Sequence, residues 1–385
     1  CIVGRRLPVY RLFPYTTLFR SGSMTGSAIN YVVQSGGEGG ANNVDEGGTK
    51  PTTDKDIILK TAPARKIAHN MRVSEEMVND LQGLSAFLTF QGIEEGIENT
   101  NYFLSINKKK FILTIYEKRV KSNELPFFSD LMAHLNKAGF KCPVPIINNQ
   151  KKTITKFEDK NLMLVSFLEG KAKQNLSPDN CKSIGIEVAR MHELTKNFKL
   201  KRRNNLSIQS WRGMFDSVKD QCSKLHTDLP KLIEENLKDV EKNWPHDLPS
   251  GIIHADLFHD NIFFLKDNFS GIIDFYFSCE DFFSFEIAIC FNALCFDGVK
   301  ENLSFNVTKA KNFVDGYSSI RKLTDQEKQS IKVLSQGAAL RFLLTRVFDA
   351  LNTIEGAIVK IKDPIEYLKR LDFHKNAKNH EDYFF

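Results

Sequence analysis

The sequence predicts an α+β protein of two lobes, a small antiparallel-sheet N-lobe followed by a larger, mostly helical C-lobe. Three observations carry this. Short aromatic and β-branched runs, "AFLTFQG" (86–92), "NYFLSI" (101–106) and "KFILTIY" (110–116), are joined by Gly- and Asn-bearing turns, the pattern of hairpin strands. From Ser177 onward apolar residues recur at helical spacing in segment after segment. Among those helices, "IIHADLFHDNIFFLKDNFSGIIDFYF" (252–277) reads as strand–loop–strand and delivers Asp256, Asn261 and Asp274.

Taken in order, residues 1–83 differ from everything after them. "SGGEGGANNVDEGGTKPTTDKD" (35–56) has the composition of a disordered linker. "LPVYRLFPYTTLFRS" (7–21) lacks a signal-peptide core and resembles translated adapter sequence, so 1–83 reads as a disordered or artefactual extension, with a transit or regulatory segment as the alternative and one short helix over 65–83. The N-lobe spans 84–168. Its three leading strands are followed by a helix over 125–139 that stops at a glycine. Further strands are expected at 144–147, 152–157 and 162–167. The C-lobe, 169–385, opens with Ser177 as N-cap and Pro178 in the first helical position. Later helices are expected at 210–226, 229–243, 282–296, 307–320 and 324–352, the last begun by a Thr324/Glu327 capping box.

Bulk properties narrow the function. The 385 residues are 42% hydrophobic and 26% charged, as in ordinary globular proteins. A net charge of +6 with dispersed Lys and Arg matches anionic small molecules better than nucleic acid. The seven cysteines are odd in number and form no C-x-x-C pair, which points to a reducing, cytoplasmic setting without disulfides or zinc. The longest apolar stretch, near 282–296, is interrupted by Glu286 and Asn292 and is too short for a bilayer.

The 252–277 segment has a known chemical use. Phosphoryl transfer needs an aspartate to accept the proton of the attacking hydroxyl, and an asparagine and second aspartate to hold Mg²⁺ on the phosphates. Asp256, Asn261 and Asp274 supply that set; the competing reading is a polar loop satisfied by its own hydrogen bonds. In "GIEEGIENTNY" (92–102), Gly92, Gly96, Asn99 and Asn101 fall in a turn between strands that can offer backbone N–H groups to phosphates, though an ordinary hairpin reads the same way. The backbone of Ser166, Phe167 and Leu168 ends the last N-lobe strand where a hinge would meet an adenine edge.

H-x-D-x-x-x-x-N followed by I-I-D-F resembles the aminoglycoside phosphotransferase-like kinases, the branch that includes choline and methylthioribose kinases. Within it, "FILTIYEKRV", "LPFFSDLMAHL", "HADLFHDNIFF", "GIIDFYFSCED", "GAALRFLLTR" and "DPIEYLKRL" resemble the homoserine kinases of the second type, from about residue 84 to the end. The resemblance implies a protein-kinase-like fold and transfer from ATP, with Mg²⁺, to the hydroxyl of L-homoserine, a step toward threonine. It assigns Asp256 as base, Asn261 as support and metal residue, Asp274 as metal ligand and His254 as a structural residue of the loop. Glu286 is assigned a scaffold hydrogen bond, and His259 replaces an expected proline. The strand lysine of such kinases falls at Thr114 and its helix glutamate near Phe128, so both partners of that ion pair are missing together. Lys118 or Arg119 is the candidate replacement, with a solvated surface position as the alternative.

A zwitterionic substrate needs a cation for its carboxylate, and Arg341 is favoured over Arg346 on helical facing. Tyr276, Glu280 and Asp281 are the candidates for the ammonium group. Trp211 and Phe215 read as core. Another small-alcohol kinase of the same fold, or a silent nucleotide-binding module, are the competing functions.

Overall fold

The computed structural model describes residues 88–93, 99–106, 109–116, 121–148, 150–157, 160–299, 302–352 and 362–384. The extension 1–83, Gly96 and Lys118 therefore lie outside the described residues. The chain divides into two units, one holding 88–172 with 263–273 and the other 173–262 with the chain from 274 on. The 263–273 hairpin thus belongs to the small unit, although the sequence places it within the C-lobe.

In the small unit, β1 (Leu88–Ile93), β2 (Asn99–Ile106), β3 (Lys109–Tyr116), β4 (Ile154–Phe157) and β5 (Lys160–Ser166) form an antiparallel sheet in the order β1-β2-β3-β5-β4. Helix α1 (Leu125–Lys137) buries Leu125, Phe128, Leu131 and Leu135 at helical spacing. The strand expected at 144–147 is a correction: only Pro145 makes a bridge, to Val165, because prolines 143 and 145 have no N–H to give a ladder. A second sheet joins β6 (Lys171–Ala172), β8 (Ile262–Leu265) and β9 (Asn268–Ile272).

The larger unit contains α2 (Pro178–Leu194), α3 (Ile208–Val218), α4 (Leu229–Asn243), α5 (Phe283–Leu294), α6 (Val307–Ile320), α7 (Asp325–Asn352), α8 (Glu366–Asn376) and α9 (Glu381–Phe384). Ser177 caps α2 through the Asn180 N–H at 3.2 Å. Thr324 and Glu327 close the box expected at α7, with bonds of 3.0 and 3.2 Å. The helix expected over 210–226 ends at Val218 and continues as a 3₁₀ turn over Lys219–Lys224. Helix α7 is the hub, packing against α3, α4, α5 and α8. Trp211 and Phe215 on α3 are fully buried. The short strands β7 (Ser250–Ile253) and β10 (Cys279–Phe282) pair antiparallel, β7 immediately before the loop at His254 and β10 immediately before α5. Among the described residues no helix is long and apolar enough to cross a membrane.

Helices α2 and α6 approach backbone to backbone. A Cβ on Gly316 would stand 2.1 Å from the Lys182 carbonyl oxygen, whereas one on Gly213, in the exposed face of α3, meets nothing within 4 Å. Gly316→Ala should therefore cost about 1–3 kcal/mol by forcing the helices apart. Gly213→Ala should be neutral or gain up to about 1 kcal/mol from helix propensity. Urea denaturation of the two variants side by side checks this, and equal midpoints would show that the close approach is not what limits α2–α6 packing.

Candidate active site

The candidate catalytic loop leaves β7 at His254 and returns through a 3₁₀ turn, His259–Asn261. Asp256, Asn261 and His254 are all buried in it. The Asp256 carbonyl accepts from the Phe258 N–H at 2.9 Å and from Asn261 Nδ2 at 2.8 Å. Asn261 Nδ2 also reaches Asp256 Oδ2 at 3.2 Å. The five-residue spacing therefore closes a loop in which the asparagine amide holds the aspartate from both its backbone and its side chain. Asp256 Oδ1 and Asn261 Oδ1 are buried without a hydrogen-bond partner, a costly arrangement unless something binds them. Burial pushes the Asp256 carboxyl up to about 6, against the pull of Arg341, Lys362 and Asn261; such a carboxyl is suited to proton acceptance near neutral pH.

Ala255, in the middle of this loop, has φ +65°, a left-handed conformation that costs a non-glycine residue roughly 1–2 kcal/mol. Two buried charged side chains hold it there. Glu286 on α5 accepts from the Ala255 N–H at 3.1 Å and from the His254 N–H. Arg341 on α7 donates Nη1 to the Ala255 carbonyl at 2.7 Å. Burial raises the Glu286 carboxyl to about 8, against the Ala255 and His254 N–H groups and Arg341, which pull it down. His254 packs edge-on to Phe275 at 4.9 Å, and its Nδ1 accepts from the Asp256 N–H at 3.3 Å. Asp274 is buried, also left-handed at φ +66°, and leads into a 3₁₀ turn over Phe275–Phe277.

Several expected positions require correction. Arg341 is fully buried and braces the loop backbone through Nη1. Glu280 and Asp281 are neighbours on β10, and strand alternation sends them to opposite faces; they cannot both reach one ammonium group. Glu280 pairs with the exposed Lys201 at 2.8 Å. Asp281 accepts from Asn204 at 2.6 Å and from the Phe282 N–H at 2.8 Å. Tyr276 is half-buried in the turn after Asp274.

In the small unit, Gly92 lies in β1 and Asn99 and Asn101 in β2, so none of the three is in a turn. Asn101 is buried and its Oδ1 accepts from Thr114 Oγ1 at 2.8 Å. Thr114 and Phe128, at the positions of the missing ion pair, are both buried. At the proposed hinge, the Ser166 N–H is bonded to Val144 O and the Phe167 N–H to Lys110 O. Two of the three backbone N–H groups expected to serve as a hinge are therefore already engaged.

The chain matches the model of the phosphotransferase enzyme family over residues 89–318. It is 41% identical to a homoserine kinase of Agrobacterium fabrum over 300 residues, covering 78% of this chain and 92% of that protein. Against a homoserine kinase of Rhodopseudomonas palustris the identity is 43% over 312 residues, with 80% and 95% covered. Among solved structures, an amicoumacin kinase superposes with a TM-score of 0.60 at 15% identity, covering 85% of this chain and 95% of that one. A choline kinase from Cryptosporidium parvum gives 0.58 at 16%, with 82% and 94% covered. These structural likenesses establish the kinase-like fold.

Removing the Glu286 carboxyl tests the clamp on Ala255. Glu286→Ala leaves the His254 and Ala255 N–H groups buried without an acceptor, at about 1–3 kcal/mol each. Glu286→Gln keeps one acceptor oxygen and should lose less. Denaturation midpoints ranked wild type, Gln, Ala are expected, and an Ala variant as stable as wild type would show that the loop holds itself.

Proposed function

The chain belongs to the phosphotransferase enzyme family and, within it, to the homoserine kinases, and we propose that it transfers the γ-phosphoryl group of ATP to the hydroxyl of L-homoserine, giving ADP and O-phospho-L-homoserine. The observation that carries this reading is the pair of buried, unpartnered oxygens, Asp256 Oδ1 and Asn261 Oδ1, on one braced loop. Asp256 accepts the hydroxyl proton as the substrate oxygen forms its bond to phosphorus and the bond to the ADP oxygen breaks. Asn261 holds Asp256 through Nδ2 and keeps its Oδ1 for a cation.

A Mg²⁺ ion fits this donor set. Among the described residues no three His, Cys, Asp or Glu side chains gather as a metal cage, and Mg²⁺ on nucleotide phosphates needs only one or two protein oxygens beside phosphate and water. Asn261 Oδ1 and the Asp274 carboxylate would hold it, and when bound it neutralises charge developing on the phosphates. On the nucleotide side the Leu168 backbone is the candidate for the adenine edge. On the substrate side Tyr276 and Asp281 are the candidates for the ammonium group.

Coupled ADP release across L-homoserine, choline, methylthioribose and aminoglycosides should show turnover with homoserine far above the others; preference for another alcohol would replace the substrate assignment. In the same assay Asp256→Asn should lower kcat by ~10²–10⁴-fold. Its ATP affinity should barely change, and its melting temperature should hold or rise, since a buried charge is removed. A variant that melts early yet turns over normally per folded molecule would sink the role of Asp256.

Asp274→Asn replaces a charged oxygen ligand with a neutral one. Activity should fall by orders of magnitude and partly recover at high Mg²⁺ or with Mn²⁺. An unchanged Mg²⁺ dependence would make Asp274 structural.

A further inference from the structure

An amino-acid substrate brings its carboxylate to a loop that already carries Asp256 and Asp260, so a cation has to meet it. Three nearby arginines already hydrogen-bond backbone carbonyls of the protein itself. Arg341 is fully buried on the Ala255 carbonyl. Arg346 donates to Asp363 O at 2.8 Å and to Glu366 at 3.0 Å, with its guanidinium over Tyr367. Arg370 donates to Asn292 O at 2.9 Å and to Glu366 O at 3.0 Å.

Lys362, which precedes α8, is placed differently. Its Nζ is 3.8 Å from Asp260 Oδ2, close enough for charge attraction but beyond hydrogen-bond reach. The ammonium lies 5.2 Å over the ring of Phe258, two residues after Asp256, and the side chain is still 22% exposed. Asp260 is itself fixed, because its other oxygen is 2.7 Å from His259 Nε2. The lysine is thus aimed by a buried carboxylate and an aromatic face, with its N–H donors not saturated by either. Burial and Arg346 lower its affinity for the proton, while Asp260 and Asp256 raise it; an arriving carboxylate would act in the same sense as the two aspartates.

We propose that Lys362 is the specificity-determining cation that receives the α-carboxylate of the substrate while the hydroxyl at the other end of the molecule meets Asp256. The assignment rests on the homoserine kinase reading and names the residue that makes an amino acid, rather than a simple amino alcohol, the acceptor. Lysine suits the task as a compact point charge on a flexible stem, able to shift from Asp260 toward the ligand.

The test compares L-homoserine with 3-aminopropan-1-ol, which keeps the hydroxyl and amine and lacks the carboxylate. The amino alcohol is followed as substrate or as competitive inhibitor of the full chain. Lys362→Met should raise KM for L-homoserine roughly ten- to a hundredfold, the range of one lost charged hydrogen bond. KM for ATP and the constant for 3-aminopropan-1-ol should stay as in wild type, and Lys362→Arg should recover part of the loss. An unchanged KM for homoserine in Lys362→Met overturns the proposal. So does an equal loss with both ligands, or a lowered melting temperature with KM intact, either of which makes Lys362 only a structural partner of Asp260. If wild type itself takes another alcohol and not homoserine, the homoserine kinase reading fails, and the carboxylate site fails with it.

Discussion

The site depends on one constraint, the left-handed backbone of Ala255. Its N–H is taken by Glu286 and its carbonyl by Arg341, so α5 and α7 grip the same residue from both sides. An alanine does not hold φ +65° unaided. The surrounding buried groups over-determine it, and the next residue in the chain is Asp256, the proposed base. Glu286 and Arg341 serve the two ends of one residue, the carboxyl accepting and the guanidinium donating, so their burial is partly offset by hydrogen bonds to the Ala255 backbone. The grip turns the Asp256 side chain toward Asn261 and leaves one carboxylate oxygen unpartnered.

The frame that carries the grip is apolar and aromatic. Helix α7 presents Leu340, Phe342, Leu343 and Leu344 to its neighbours, and Phe342 packs edge-on against Phe258 of the catalytic loop at 4.9 Å. Tyr367 on α8 continues the contact, with Arg346 and Arg370 over its ring at 4.6 and 4.8 Å. Cation–π pairs of this kind are worth about 0.5–2 kcal/mol each. They hold two guanidiniums against the first turn of α8, which Lys362 precedes. The position of the loop, the helix hub and the placing of Lys362 beside Asp260 are therefore consequences of the same packing.

The small unit departs from the usual kinase pattern in a self-consistent way. Where a strand lysine would need a helix glutamate, Thr114 bonds Asn101 across adjacent strands and Phe128 joins the core. Replacing both charges together leaves neither buried alone, which is far less costly than losing one partner. Phosphate charge must then be met by other groups.

Local pattern was enough for much of the architecture. Alternating β-branched runs marked β1 to β3, capping residues marked α2 and α7, and the spacing of Asp256, Asn261 and Asp274 singled out the loop, because periodicity and caps act over a few residues. What the local pattern misassigned involves partners far along the chain. Nothing in the sequence near Arg341 announces its bond to a carbonyl 86 residues away, and Lys362 has no motif at all until Asp260 faces it. Glu280 and Asp281 look equivalent in sequence, and the pairing of β10 with β7 separates them. The residue types and their chemistry belong to the sequence; which atoms are already satisfied, and which remain for a ligand, is decided only when distant elements pack, because burial and hydrogen bonding are properties of the assembled core.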